Sequence, residues 1–276
     1  MNFRNLRGAL ALACALTIFA GASAAQAATG SPVRGHLLHL TKPGAGLRAN
    51  ANSSNNWFGY NQGTLEQGTK LFNSITGDWT VPTASQHTPG QAESSSDWIG
   101  IGGGCIDANC TVGDNTLIQT GTEQDVAANG STTYNAWYEL IPVPSLTITN
   151  MTVSPGDHMH ASIGEVVADS ELWKITLTDV TRNETFTTTL PYTSTHATAE
   201  WIEETPLILG TNAGLASLPN LSTTSFTGAT TNGQNANLKA SEEMFLTDSN
   251  GSVIGAPSAP NASGNGFSLC AHATSC

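Results

Sequence analysis

From Trp57 to the C-terminus the chain is a succession of short alternating segments, and none carries a sustained helical period. "WTVP", "SDWIGIGG", "NTLIQTG", "TTYNAWYELIP", "LTITNMTV", "MHASIGEVV", "LWKITLTDV", "TFTTTLPY" and "KASEEMFLT" are rich in Thr, Val, Ile and aromatic residues. Gly, Pro, Asn and Asp separate them. β-branched and aromatic side chains pack well on a pleated surface, and period-two alternation buries one face of each segment. "DVTRNETF" is expected to be the turn of a hairpin joining 175–180 to 185–190. So many short strands without helices point to an all-β domain of two packed antiparallel sheets, with no internal repeat.

The N-terminus predicts export. Arg4 and Arg7 precede the apolar run 8–20, and Ala25-Gln26-Ala27 is an A-x-A cleavage site. The run is shorter than a membrane span, and no later stretch is apolar enough to be one. We therefore expect a signal peptide over 1–27 and a secreted, extracellular protein. Residues 28–52 contain no acid, three basic residues and several Gly and Pro breaks, and read as a short propeptide or a linker. The domain itself is expected over 53–276. Its four cysteines, Cys105, Cys110, Cys270 and Cys276, suggest two disulfides in an exported chain. Of the three connectivities, short spacing favours Cys105–Cys110 and Cys270–Cys276, and the export signal and the lack of C-x-x-C spacing disfavour a zinc site.

Charge narrows the partners. From residue 51 onward four basic residues stand against all 21 acidic ones, a net −17. Nucleic acid and anionic membrane are thereby disfavoured. A body with so few bases gains little positive charge in acid, which suits an acidic working environment. His158-Met159-His160 would present two imidazoles on one strand face, and a surface strand explains them better than a metal does. Zinc-protease, serine-hydrolase and phosphate-loop motifs are absent, as is a D-[ST]-G pair. No metal or cofactor is expected, and the expected state is a monomer.

The polar residues inside strands need explaining, because a buried carboxylate or amide is costly without a partner or a task. Gln119 shares a face with Leu117 and Gly121. On "YNAWYELIP" Asn135, Trp137 and Glu139 share one face, and Tyr134, Ala136 and Tyr138 the other. On "AEWIEE" Glu200, Ile202 and Glu204 share a face opposite Trp201 and Glu203. These strands offer Gln119, Glu139 and Glu204 to a polar groove with aromatic walls. A one-residue slip would exchange Glu203 for Glu204.

The order "NWFGY … GDWTVP … DWIGIGG … LIQTG … YNAWYELIP … PGD … AEWIEETP", over about 56–206, resembles the glutamic peptidases, or eqolisins. The resemblance implies a lectin-like, concanavalin-type sandwich of two curved antiparallel sheets. It implies acid endopeptidase activity on polypeptide substrates, insensitive to pepstatin. By its motifs Gln119 and Glu204 are the catalytic pair, and Trp137 and Glu139 form a wall of the substrate groove; Trp98 and Tyr134 are expected to bind substrate beside them. Gly102 stands where the family often has an acidic groove residue. The chemistry is self-consistent: a carboxylate can activate water and later protonate the leaving nitrogen, and an amide can hold the water and the oxyanion. A glycan-binding module or glycosidase on a similar sandwich is the alternative, with Trp137 beside Glu139 as the sugar-stacking face. A glycosidase has no need of Gln119.

Overall fold

The computed structural model describes residues 37–38, 52–209 and 213–276. The expected signal peptide (1–27) lies outside them, as does the 28–52 segment apart from Leu37, Leu38 and Asn52. Fourteen strands build the domain. They are β1 (Trp57–Gly63), β2 (Ser74–Thr80), β3 (Glu93–Gly102), β4 (Leu117–Val126), β5 (Thr132–Leu140), β6 (Leu146–Ile148) and β7 (His158–Glu165). After them come β8 (Leu172–Asp179), β9 (Glu184–Pro191), β10 (Thr198–Glu204), β11 (Thr224–Thr231), β12 (Glu243–Thr247), β13 (Val253–Pro257) and β14 (Phe267–Ala271). Two-residue strands add to the edges and loops, among them Leu37–Leu38, which pairs antiparallel with Leu207–Ile208.

The strands follow the order β9-β8-β7-β2-β11-β14-β13-β12-β1-β10-β3-β4-β5-β6, with every neighbouring pair antiparallel. This ribbon doubles over, so that β7, β2 and β11 lie against β10, β3 and β4. Two indole N–H groups tie the layers together: Trp201 on β10 donates to the Thr76 carbonyl on β2 (2.8 Å), and Trp79 on β2 donates to Thr122 Oγ1 on β4 (2.9 Å). The result is the expected all-β sandwich of two antiparallel sheets. The expected hairpin turn joins β8 to β9, pairing Asp179 with Glu184.

Alternation decides what lies between the layers. Phe58, Tyr60, Ile99, Ile101, Ile118, Ala136 and Trp201 face Ile75, Trp79, Met159, Ile163, Trp173, Ile175 and Phe226 in one continuous core. Beyond β7, the outer face is solvated, with Thr176 facing Thr187 and Thr178 facing Thr185 across strands. The other sheet differs, because β1, β3 and β10 are buried on both faces. Its far side carries a second apolar cluster: Trp57, Trp98, Leu117, Trp137, Ile202 and Met244. A sheet buried on both sides loses the hydrophobic–polar alternation of a half-exposed one, which is why "SDWIGIGG" reads as nearly continuous. Both expected disulfides, Cys105–Cys110 and Cys270–Cys276, are present, with Cα separations of 4.8 and 5.3 Å.

Candidate active site

Strand register assembles the polar residues of this far face into rows. Glu139 on β5, Gln119 on β4, Gly100 on β3, Glu200 on β10 and Asn61 on β1 are successive cross-strand neighbours. The next row is Trp137, Gly121, Trp98, Ile202 and Gly59, and the one beyond is Asn135, Glu123, Ser96, Glu204 and Trp57. Gln119 and Glu204 thus project from the same face, with the indole of Trp98 in the row between them. The feared one-residue slip has not occurred: Glu203 lies on the opposite, inter-sheet face with Trp201.

Each side chain is held by specific bonds. Gln119 Nε2 donates to Glu139 Oε2 at 2.7 Å. The Trp98 indole N–H donates to Glu204 Oε2 at 2.9 Å, and Asn56 Nδ2 donates to Glu204 Oε1 at 3.3 Å. The Trp137 indole N–H donates to Ser96 Oγ at 2.9 Å, and that hydroxyl donates onward to the Thr122 carbonyl. The rings of Trp57 and Trp98 meet edge to face, 4.9 Å between centroids, a favoured aromatic geometry. Gly121 makes room for this packing, since a Cβ there would sit 2.1 Å from the Asp97 carbonyl oxygen and 2.6 Å from Trp98 Cβ. Gln119, Glu139, Glu204, Trp98 and Trp137 are all buried.

Tyr134 is not with them. It lies on the other face of β5, against the inter-sheet core, and its hydroxyl accepts the Ala84 N–H at 2.9 Å. Strand alternation separates it from Trp137 and corrects the expectation that it lines the groove. The glycine at 102 has a structural reason. Its φ of +95° is a left-handed conformation, and a Cβ would lie 2.0 Å from the Thr116 carbonyl oxygen, so this backbone path excludes an acidic residue there. His158 and His160 both reach Asp78 Oδ1, at 3.5 and 3.1 Å, on a partly exposed face of β7 and β2. Among the described residues no group of three His, Cys, Asp or Glu is arranged to hold a metal.

Other buried acids surround this arrangement. On the face that carries Gln119 and Glu204, Glu200 is held well above the usual carboxylate range, because burial penalises its charge. On the inter-sheet face, Glu203 and Asp97 are directly opposed in register and fully buried. Burial pushes Asp97 up to about 6 and raises Glu203 well above its ordinary value, Asp97 adding to that rise. Gln124 Nε2 reaches both, at 3.2 Å from Asp97 Oδ2 and 3.2 Å from Glu203 Oε1. Sequence reasoning missed this trio and missed Asn56. The signal for the trio was available, since counting faces along β3 and β4 places Asp97 and Gln124 opposite Trp98 and Glu123. Nothing local to Asn56 foretold its bond to Glu204, 148 residues away.

The fold and the face together define a class, the glutamic-peptidase sandwich. The solved structure of scytalido-glutamic peptidase with a transition-state analog inhibitor superposes with a TM-score of 0.58 at 18% identity, covering 79% of this chain and 98% of that one. Aspergilloglutamic peptidase from Aspergillus niger superposes with a TM-score of 0.52 at 22% identity, covering 65% of this chain and 99% of that one. In sequence, aspergillopepsin-2 of Aspergillus niger is 27% identical over 109 residues, 33% of this chain and 36% of that relative, so the match spans about a third of its length. The Peptidase A4 family model matches residues 55–264, and the chain belongs to that family of peptidases.

Proposed function

We propose that this chain is a secreted acid endopeptidase in which Gln119 and Glu204 hydrolyse peptide bonds through an activated water. The observation that carries the reading is the common face of the two residues, each held by a buried partner. Glu204 as carboxylate takes a proton from water while the water oxygen bonds to the scissile carbonyl carbon. Gln119 has two N–H groups. Glu139 accepts from Nε2 and fixes the amide plane, and in the processed enzyme with substrate bound Gln119 donates to the oxyanion of the tetrahedral intermediate. Collapse breaks the C–N bond, Glu204 returns its proton to the leaving nitrogen, and the carboxylate is restored. Trp137 and Trp98 wall the groove and exclude water. Residues 28–52 act as a propeptide. Support comes from the pairing of Leu37–Leu38 with Leu207–Ile208, just beyond Glu204.

The glycan reading is weaker. A glycosidase has no need of Gln119, which shares the face of Glu204. The test is hydrolysis of a denatured protein by processed enzyme between about pH 2 and 7, with pepstatin and EDTA controls. Cleavage that peaks in acid, resists both inhibitors and disappears in Gln119→Ala and Glu204→Gln supports the proposal. Full activity in either variant rejects that residue's assignment.

A further inference from the structure

We infer that Tyr192 is a positioning residue for Gln119, its hydroxyl built into the end of the β4–β5 ladder and fixing how far the two strands stand apart there, an inference that rests on the reading of Gln119 as the oxyanion donor. One register step past Ile118 and Leu140, Leu117 faces Ile141. In a hydrogen-bonded antiparallel pair the two residues exchange two direct N–H···O=C bonds. Here one is direct: the Ile141 N–H donates to the Leu117 carbonyl at 2.9 Å. The return bond passes through Tyr192. The Leu117 N–H donates to its hydroxyl at 2.7 Å, and that hydroxyl donates to the Ile141 carbonyl at 3.0 Å. A hydroxyl has one hydrogen to give and lone pairs to accept with, so it serves both backbone groups. It also props them apart, because two bonds in series stand where one would.

The wedge is anchored from outside the ladder. Tyr192 follows β9, and its backbone N–H donates to the Glu171 carbonyl at 2.8 Å. Its carbonyl accepts the indole N–H of Trp173 on β8 at 2.9 Å, and Trp173 is fully buried in the inter-sheet core. What the wedge props lies beside the reactive face. Gln119 is two residues along β4 from Leu117, and it opposes Glu139, two residues before Ile141. Leu117 belongs to the second apolar cluster with Trp98 and Trp137. It also flanks Gly100 together with Gln119: a Cβ on that glycine would lie 2.9 Å from Leu117 Cδ1 and 3.3 Å from Gln119 Cβ. Close-packed interiors transmit small shifts, so a change in strand spacing at Leu117 reaches the Gln119 amide through both backbone and packing. An oxyanion donor moved off its target loses rate steeply.

The experiment is steady-state kinetics of processed enzyme on a peptide substrate, with folding checked by circular dichroism. Tyr192→Phe keeps the ring and removes the relay. Its kcat should fall roughly ten- to a hundredfold with KM unchanged. The control is Tyr60→Phe. Tyr60 lies in the inter-sheet core on β1, and its hydroxyl donates to the Ser258 carbonyl at 2.7 Å. That variant also loses a phenol–backbone bond, but away from Gln119, and should keep its kcat whatever its melting temperature. Wild-type kcat in Tyr192→Phe, a rise in KM alone, or an equal fall in Tyr60→Phe overturns the positioning role. With Gln119→Ala inactive, the reading of Gln119 survives any of these. Full activity in Gln119→Ala overturns both. If Tyr192→Phe does not fold, Trp173→Phe, which removes the donor on the Tyr192 carbonyl, decides: kcat should fall in the same way by less, and an unchanged kcat overturns the role.

Discussion

The buried pair Asp97 and Glu203 makes stability depend on pH in a direction opposite to that of most carboxylates. Both side chains are fully buried, and among the described residues neither takes part in an ion pair. Burial raises both in the folded state, Asp97 from 3.8 to about 6. The folded protein therefore binds more protons than the unfolded chain once pH exceeds about 4, and stability falls as pH climbs through the folded value. A rise of about two units in Asp97 corresponds to about 3 kcal/mol lost between roughly pH 4 and 7, and Glu203 adds to it. The double variant Asp97→Asn/Glu203→Gln replaces both acids by amides shaped like their protonated forms. It should match the wild type near pH 4 and exceed it by at least about 3 kcal/mol near pH 7. In a domain of this size that is a melting-point gain of roughly 6–12 °C at neutral pH. Every other carboxyl group is common to both proteins, so the difference in melting temperature from about pH 3 to 7 isolates the pair. A difference that stays constant across that range would refute the reasoning.

Other outcomes follow from the same geometry. Trp98→Phe keeps the ring but removes the indole N–H from Glu204, and kcat should fall by roughly ten- to a hundredfold with the melting temperature changing by a few degrees, as steady-state kinetics and thermal melts would check. Gly102→Asp, which installs the acid the family often carries, should destabilise the fold by more than about 3 kcal/mol, because its Cβ would collide with the Thr116 carbonyl; a urea titration would read this. Replacing Cys270 and Cys276 by serine opens a short loop and should cost about 2 kcal/mol, seen as a lower denaturant midpoint with activity retained below it.

Strand character, the even cysteine count, the net charge and the alternation that puts Gln119, Trp137 and Glu204 on definite faces are local properties. Period-two geometry converts sequence parity into face, and a short cysteine spacing closes a small loop whatever the rest of the chain does. For that reason the sandwich, the disulfides and the separation of Glu203 from Glu204 could be read from the residues. The same parity already set Tyr134 apart from Trp137, although both were expected to bind substrate. What the residues could not disclose is register between strands distant in sequence. Only the folded sheet sets Glu203 against Asp97, brings Asn56 to Glu204, and wraps β1, β3 and β10 on both faces so that six aromatic and aliphatic side chains form a second core. Gly102 shows the division most plainly. As a residue it reads as a missing acid, and only the path of the backbone past Thr116 shows that no side chain could stand there. Pairing over long separations depends on how the whole sheet curls and closes, and no single segment carries that information.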